Sequence, residues 1–263
     1  MGSVGAGGVA GMIEAWQFGL LLVAGIGAGF FNVVAGGGSL LTVPVMLFIG
    51  VPGPVANGTN RIAILAQNLT AILAFLRGGY SDFRLSVTLA LASLPGAVAG
   101  ALLGTRLEGI WFNRVVAVVM LAVLLLSATG LGKRAAEPAP AAAPTRRRWW
   151  LGHLGMVVTG FWGGFIQLGV GFLFAPVLER TLGLDLVRVN MHKVFVIFTY
   201  TVVALAIFAA EVPLLWLVGL VLAIGNSIGG WLGATLSMRR GERAIRVLFN
   251  LILITFIIKL LLF

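Results

Sequence analysis

Apolar residues in this chain come in long blocks separated by short polar or glycine-rich breaks. The blocks run 14–33, 39–50, 59–76, 85–105, 110–131, 149–168, 170–183, 191–210, 212–236 and 246–263. Most are long enough, at about 1.5 Å per helical residue, to cross a hydrocarbon layer of about 30 Å. Blocks 39–50 and 170–183 are too short. Each follows a glycine-rich break, Gly36-Gly37-Gly38-Ser39 in one case and Gly169-Val170-Gly171 in the other, and each carries a proline, Pro44 or Pro176. Short, Gly/Pro-interrupted segments in corresponding places mark the binding region of a repeat-built transporter.

The hydrophilic stretch 132–148, rich in Pro, Ala and Arg, reads as a tether between a first transmembrane half, 14–131, and a second, 149–263. The halves read as repeats. Aligning Pro44 with Pro176 brings Gly37 onto Gly169 and Arg61 onto Lys193, and one gap brings Asn57 onto Asn190. Gly96, Gly100 and Gly104 match Gly225, Gly229 and Gly233, each set spaced by four as in close helix packing. The expected fold is an all-α polytopic membrane protein of two homologous, inverted repeats. Each repeat has a glycine-broken helix with its short helix and about three further spanning helices, for 8–10 membrane segments.

Composition agrees. Sixty per cent of the 263 residues are hydrophobic and 10% are charged, against about 25% charged in a soluble domain. That excludes a soluble enzyme, a disordered chain and a secreted disulfide scaffold. The net charge of +10 points to membrane orientation and not to nucleic acid, because the basic residues sit between or at the ends of apolar blocks. Lys133, Arg134 and Arg146 to Arg148 in the linker, and Arg239, Arg240, Arg243 and Arg246, predict that both loops are cytoplasmic. The loop with Arg77 and Arg84 belongs on the same side and the loop near Glu211 on the outside, while Arg106 and Arg114 run against the rule. The absence of cysteine removes thiol chemistry, and two histidines do not make a metal site. Nothing calls for a cofactor. The first apolar block reads as a retained membrane segment.

Arg61, in Asn57-Gly58-Thr59-Asn60-Arg61, and Lys193, in Asn190-Met191-His192-Lys193, carry the candidate chemistry. A cation in a membrane interior is costly and faces a cavity or a partner. Either could snorkel to a headgroup from a helix end, but duplicated positions beside asparagines and next to the breaks favour a site. No Asp or Glu lies in these clusters; Glu179 and Asp185 fall in what reads as a loop. The implied partner is an anion. Asn32, Asn57, Asn60, Asn190, Gln167, Ser39 and Thr59 would add neutral groups, and backbone N–H groups after Gly36, Gly37 and Gly38, or around Gly169 and Gly171, would add more. His192 is a candidate proton-coupling group; His153, beside Trp149 and Trp150, reads as interfacial.

At these residues the chain resembles the TauE/SafE family of sulfite exporters, also grouped as toluene-sulfonate uptake permeases. The resemblance lies in AGFFNVVAGGGSLLTVPVML, ANGTNR, GFIQLGVGFLFAPVL and VNMHKVF. It implies a multi-pass transporter of the bacterial cytoplasmic membrane, moving sulfite, organosulfonates or related oxyanions, with about eight spans in two four-helix repeats. The expected function is secondary transport, by export, of a small sulfur oxyanion. An anion channel, or a proton-coupled uptake permease for another small anion, is the alternative. Uptake would need a coupling proton or sodium ion; export down the membrane potential would not. An intramembrane enzyme would need a base-paired nucleophile or acid–base set, which the polar clusters lack.

Overall fold

The computed structural model describes residues 14–34, 37–129, 145–238 and 254–255. Among them the structure is helical: α1 (Ala15–Val34), α2 (Ser39–Phe48), α3 (Gly53–Arg77), α4 (Phe83–Gly104), α5 (Gly109–Thr129), α6 (Arg146–Phe165), α7 (Gly171–Leu182), α8 (Leu186–Glu211) and α9 (Trp216–Ser237). Gly36, the linker before Thr145, the basic loop at 239–246 and most of block 246–263 lie outside the described residues. Helices α1, α3, α4, α8 and α9 are long and apolar enough to cross a membrane. Large apolar residues such as Val118, Leu154, Val158, Leu217 and Ile224 face outward, as they must where lipid is the solvent.

Helices α3 and α8 start about a turn or more earlier than blocks 59–76 and 191–210 predicted. Pro52 sits at the N-cap of α3, and the Asp185 side chain accepts from Val187 N and Arg188 N at 3.0 Å to start α8. The polar clusters therefore lie inside helices and not in front of them. Snorkelling is thereby excluded for Arg61, which has no exposed surface. Glu179, read as a loop residue, is in α7. His153 is buried and stacks on Trp149 with ring centroids 3.6 Å apart.

The two short helices double back. Gly38 packs on Ala28 and Asn32, and Gly27 faces Leu41, so α2 returns along α1. Gly155 meets Val177 and Gly152 meets Thr181, so α7 returns along α6. At 10 and 12 residues they reach about 15–18 Å, roughly half the hydrocarbon depth. Each has its proline at the sixth position, where a helix hydrogen bond is forgone.

Glycine rows set the packing of the long helices. Gly96, Gly100 and Gly104 of α4 lie on the backbone of Val157, Phe161 and Phe165 of α6, and Gly160 and Gly164 lie on Ser93 and Ala97 in return. Gly225, Gly229 and Gly233 of α9 lie likewise on Leu22, Ile26 and Phe30 of α1. A Cβ at most of these positions would overlap backbone atoms, so only glycine permits the approach. The contacts also give directions. Helices α1, α3 and α9 run one way, with Ile62 at Gly219, Gln67 at Gly230 and Gly78 at Met238. Helices α4, α6 and α8 run the other way, with Ser86 at His192 and Ala101 in one cluster with Ala204. The two triplets meet where α3 crosses α8 antiparallel, with Gly58 and Arg61 at Phe208 and Phe75 near Met191. Helices at matching places in the two sequence halves thus point in opposite directions. Each packed triplet borrows a helix from the other half, so the sequence halves are not separate bodies.

The ends differ in charge. Arg77, Arg84, Arg146, Arg147, Arg148, Arg180 and Arg188 gather at the end where α3 stops and α4, α6 and α8 start. Arg106 and Arg114 lie towards the opposite end, with Glu14, Glu108 and Glu211.

Gly100→Val and Gly229→Val should each destabilise the protein by at least about 1–3 kcal/mol through overpacking. Gly19→Ala, with nothing within 4 Å of the added carbon, should be neutral or slightly stabilising. Thermal unfolding in detergent, read by size-exclusion chromatography, checks the contrast; equal losses in all three variants would refute the packing role.

Candidate functional site

A helix that ends inside a packed membrane protein leaves its last carbonyls where water cannot reach them. Helix α6 stops at Phe165 because Gln167 and Gly169 both take positive φ, 64° and 66°. Glycine adopts that conformation freely, but in glutamine it costs about 1–2 kcal/mol. Two side-chain ties hold Gln167 there: Oε1 accepts from Arg61 Nη1 at 2.8 Å, and Nε2 reaches Thr201 Oγ1 at 3.5 Å. Trp162 Nε1 donates to Leu168 O at 2.9 Å and closes the turn.

The carbonyls of this break are capped by α3. Arg61 donates through Nη1 to Gly163 O at 3.0 Å and through Nη2 to Gly164 O, and Asn57 Nδ2 donates to Phe165 O at 2.9 Å. The guanidinium also lies over the Phe208 ring, 4.3 Å from its centroid. Every one of these partners is neutral.

The other break is capped from α8. Lys193 Nζ donates to Asn32 O at 3.3 Å, to Val33 O at 2.8 Å and to Asn190 Oδ1 at 2.7 Å. Asn190 Nδ2 is in turn bonded to Ser237 Oγ at 2.9 Å. The cation of each half therefore holds the carbonyl end of the broken helix in the other half. The two cations lie towards opposite ends of the bundle, Arg61 towards the Glu211 end and Lys193 towards the Arg77 end.

The remaining predicted residues divide. Asn32 Nδ2 donates to Gln67 Oε1, which links α1 to α3 near Lys193. Asn60 ties α3 to α2, accepting from Thr42 Oγ1 at 2.6 Å and donating to Ser39 Oγ at 3.1 Å. Gly37 and Gly38 supply the carbonyls that start α2, bonded to Leu40 N and Leu41 N. Gly171 starts α7, and Val123 fills the space beside Gly169. Thr59 and His192 also turn away from the cations. Thr59 Oγ1 accepts from Leu215 N at 3.1 Å and fixes the turn before α9. His192 faces α4, with Nδ1 2.8 Å from Ser86 Oγ.

Thr42, Tyr200, Thr201 and Phe208 went unnoticed in the sequence. Helical spacing carried a signal for two of them. Asn57, Asn60, Arg61, Gln67 and Asn68 share one face of α3, and Asn190, Lys193, Tyr200 and Thr201 share one face of α8, but that periodicity shows only once the helices include the polar clusters.

The profile of the sulfite exporter TauE/SafE family matches residues 21–260. The chain belongs to the TauE/SafE family. Among its relatives is a probable membrane transporter protein, ORF9, of Sinorhizobium sp, 30% identical over 92% of this chain and 91% of its own. A probable membrane transporter protein of Haemophilus influenzae is 29% identical over 86% of this chain and 88% of its own. The Escherichia coli K12 probable membrane transporter protein YfcA is 23% identical over 89% and 86%. This TauE/SafE protein is a multi-pass membrane transporter built on lipid-facing helices.

Gln167→Ala removes the amide that Arg61 holds but keeps the left-handed backbone. Gln167→Gly removes both the amide and the strain. Both variants should be less stable than the unaltered protein, with the Gly variant more stable than the Ala variant by about 1 kcal/mol. The midpoints of thermal unfolding measure this, and the reverse order would contradict the strained turn.

Proposed function

We propose that this protein is a secondary transporter that exports a small sulfur oxyanion, sulfite or an organosulfonate, across the bacterial cytoplasmic membrane by alternating access. The observation that carries the reading is Arg61: a cation with no exposed surface, two turns into a helix, whose hydrogen-bond partners are carbonyl and amide oxygens. Its hydrogen bonds are largely met and its charge is not, so a small anion is the ligand that such a site favours. The description of the family as sulfite exporters supports the substrate class.

The reading takes residues 14–131 and 149–263 as inverted repeats. The opposed directions of matching helices and the reciprocal capping support it, as does the pairing of glycine rows. The arginine-rich end, with the 132–148 linker, is then cytoplasmic. Arg61 guards the outer side of the α3–α8 crossing and Lys193 the inner side, with Asn32, Asn57, Asn190 and Gln167 around them. Export needs no coupling ion, since each negative charge leaving the cell gains about 2.3 kcal/mol per 100 mV.

Reconstitution into liposomes with labelled sulfite and an imposed potential tests this. Saturable flux, accelerated by substrate on the far side and driven by inside-negative potential, is expected. Arg61→Gln and Lys193→Gln should each raise the half-saturating sulfite concentration at least tenfold while still eluting as folded protein. Flux that does not respond to substrate on the far side would identify a channel, and unchanged affinity in both variants would remove the assigned site.

A further inference from the structure

The hydrogen bonds of Arg61 use both Nη atoms and leave its Nε, which is buried and has no partner. Tyr200 on α8 is in the same condition. It is among the largest fully buried side chains, and its hydroxyl also has no partner. Both side chains reach one backbone unit. Arg61 Nη1 holds Gly163 O at 3.0 Å, and the hydroxyl end of the Tyr200 ring occupies the space where a side chain at Gly163 would begin. The phenol also lies within electrostatic range of the guanidinium. Thr201, the next residue, approaches Gln167, which Arg61 holds. Burying a hydroxyl without a partner is costly, and phenylalanine would fill nearly the same volume without that cost. A buried tyrosine with an idle hydroxyl next to an idle guanidinium N–H is a pair of donors that lacks an acceptor.

We propose that Tyr200 is a substrate-binding residue whose hydroxyl, with Arg61 Nε–H, forms a two-donor subsite for the oxygens of the transported anion at the α3–α8 crossing. The inference rests on the anion reading above and deepens it. Arg61 supplies the charge for any small anion. Tyr200 adds a directed hydrogen bond that a sulfur oxyanion can accept with well-separated oxygens, so it contributes to the preference for oxyanion over halide. The glycine at 163 belongs to the same arrangement, because any side chain there would displace the phenol.

The test is ligand-induced thermal stabilisation of the purified full-length protein in detergent, titrated separately with sulfite, methanesulfonate, sulfate and chloride. It compares the unaltered protein, Tyr200→Phe and Arg61→Gln. Without ligand, Tyr200→Phe should melt at the same temperature as the unaltered protein or higher. It should then need about tenfold more oxyanion for the same shift, with any chloride response unchanged. Oxyanion titrations that coincide for Tyr200→Phe and the unaltered protein, but weaken in Arg61→Gln, would overturn the role of Tyr200 and leave the anion site standing. A Tyr200→Phe protein that no longer folds would assign the hydroxyl a structural partner and overturn the proposal too. No shift of the unaltered protein with any of the oxyanions would overturn both readings together.

Discussion

Carbonyl groups at the buried ends of two broken helices, α1 and α6, are the constraint on which the rest of this structure depends. No water is available there to bond them, and an unsatisfied group in hydrocarbon costs several kcal/mol. The solution is reciprocal. Arg61 and Asn57 of the first half close the end of α6, and Lys193 of the second half closes the end of α1. Neither broken helix is completed by its own half of the chain. Each hairpin therefore depends on the α3–α8 crossing, which holds both donors in register.

Backbone contacts elsewhere sharpen this division. Between α1 and α9, and between α4 and α6, glycines bring main chains together with no side chain to adjust. Packed interiors of this kind transmit displacement and do not absorb it. The α3–α8 crossing is different: it is made by side chains, and several of its polar atoms, on Asn57, Arg61, Asn68 and Tyr200, have no partner. On the proposed alternating access, rearrangement between the two triplets would concentrate there, which is also where the cations stand. A site between two stiff units, each completed by a helix from the other half, suits a transporter better than a static pore.

Much of this was legible in the sequence because lipid imposes few options. Block length gave the helices, the short blocks beside glycines marked the broken helices without saying that they double back, and glycines spaced by four gave the close packing. The starts of α3 and α8 were misread because Asn57 to Arg61 and Asn190 to Lys193 lower local hydropathy. A hydropathy reading cuts the helix where a buried polar face begins, although the backbone continues unbroken. The roles of Thr59 and His192 could not be read at all. Each sits within two residues of a cation in sequence yet points elsewhere, Thr59 to the turn before α9 and His192 to Ser86, because successive residues on a helix turn by about 100°. Tyr200 was overlooked because an aromatic residue in an apolar helix is ordinarily read as packing. Only the missing partner of its hydroxyl separates it from the core.

Capping and anion binding are not rival roles for Arg61. The C-terminal end of a helix carries about half of an elementary negative charge, and a guanidinium carries one full positive charge. Closing α6 with Arg61 therefore satisfies the geometry and leaves a positive residue of charge in the bilayer interior. A neutral amide can close a helix carbonyl without that charge, as Asn57 does at Phe165 O. The proposed anion site would account for a cation at this position, because a neutral donor cannot balance the charge of a negative ligand in a site that excludes water.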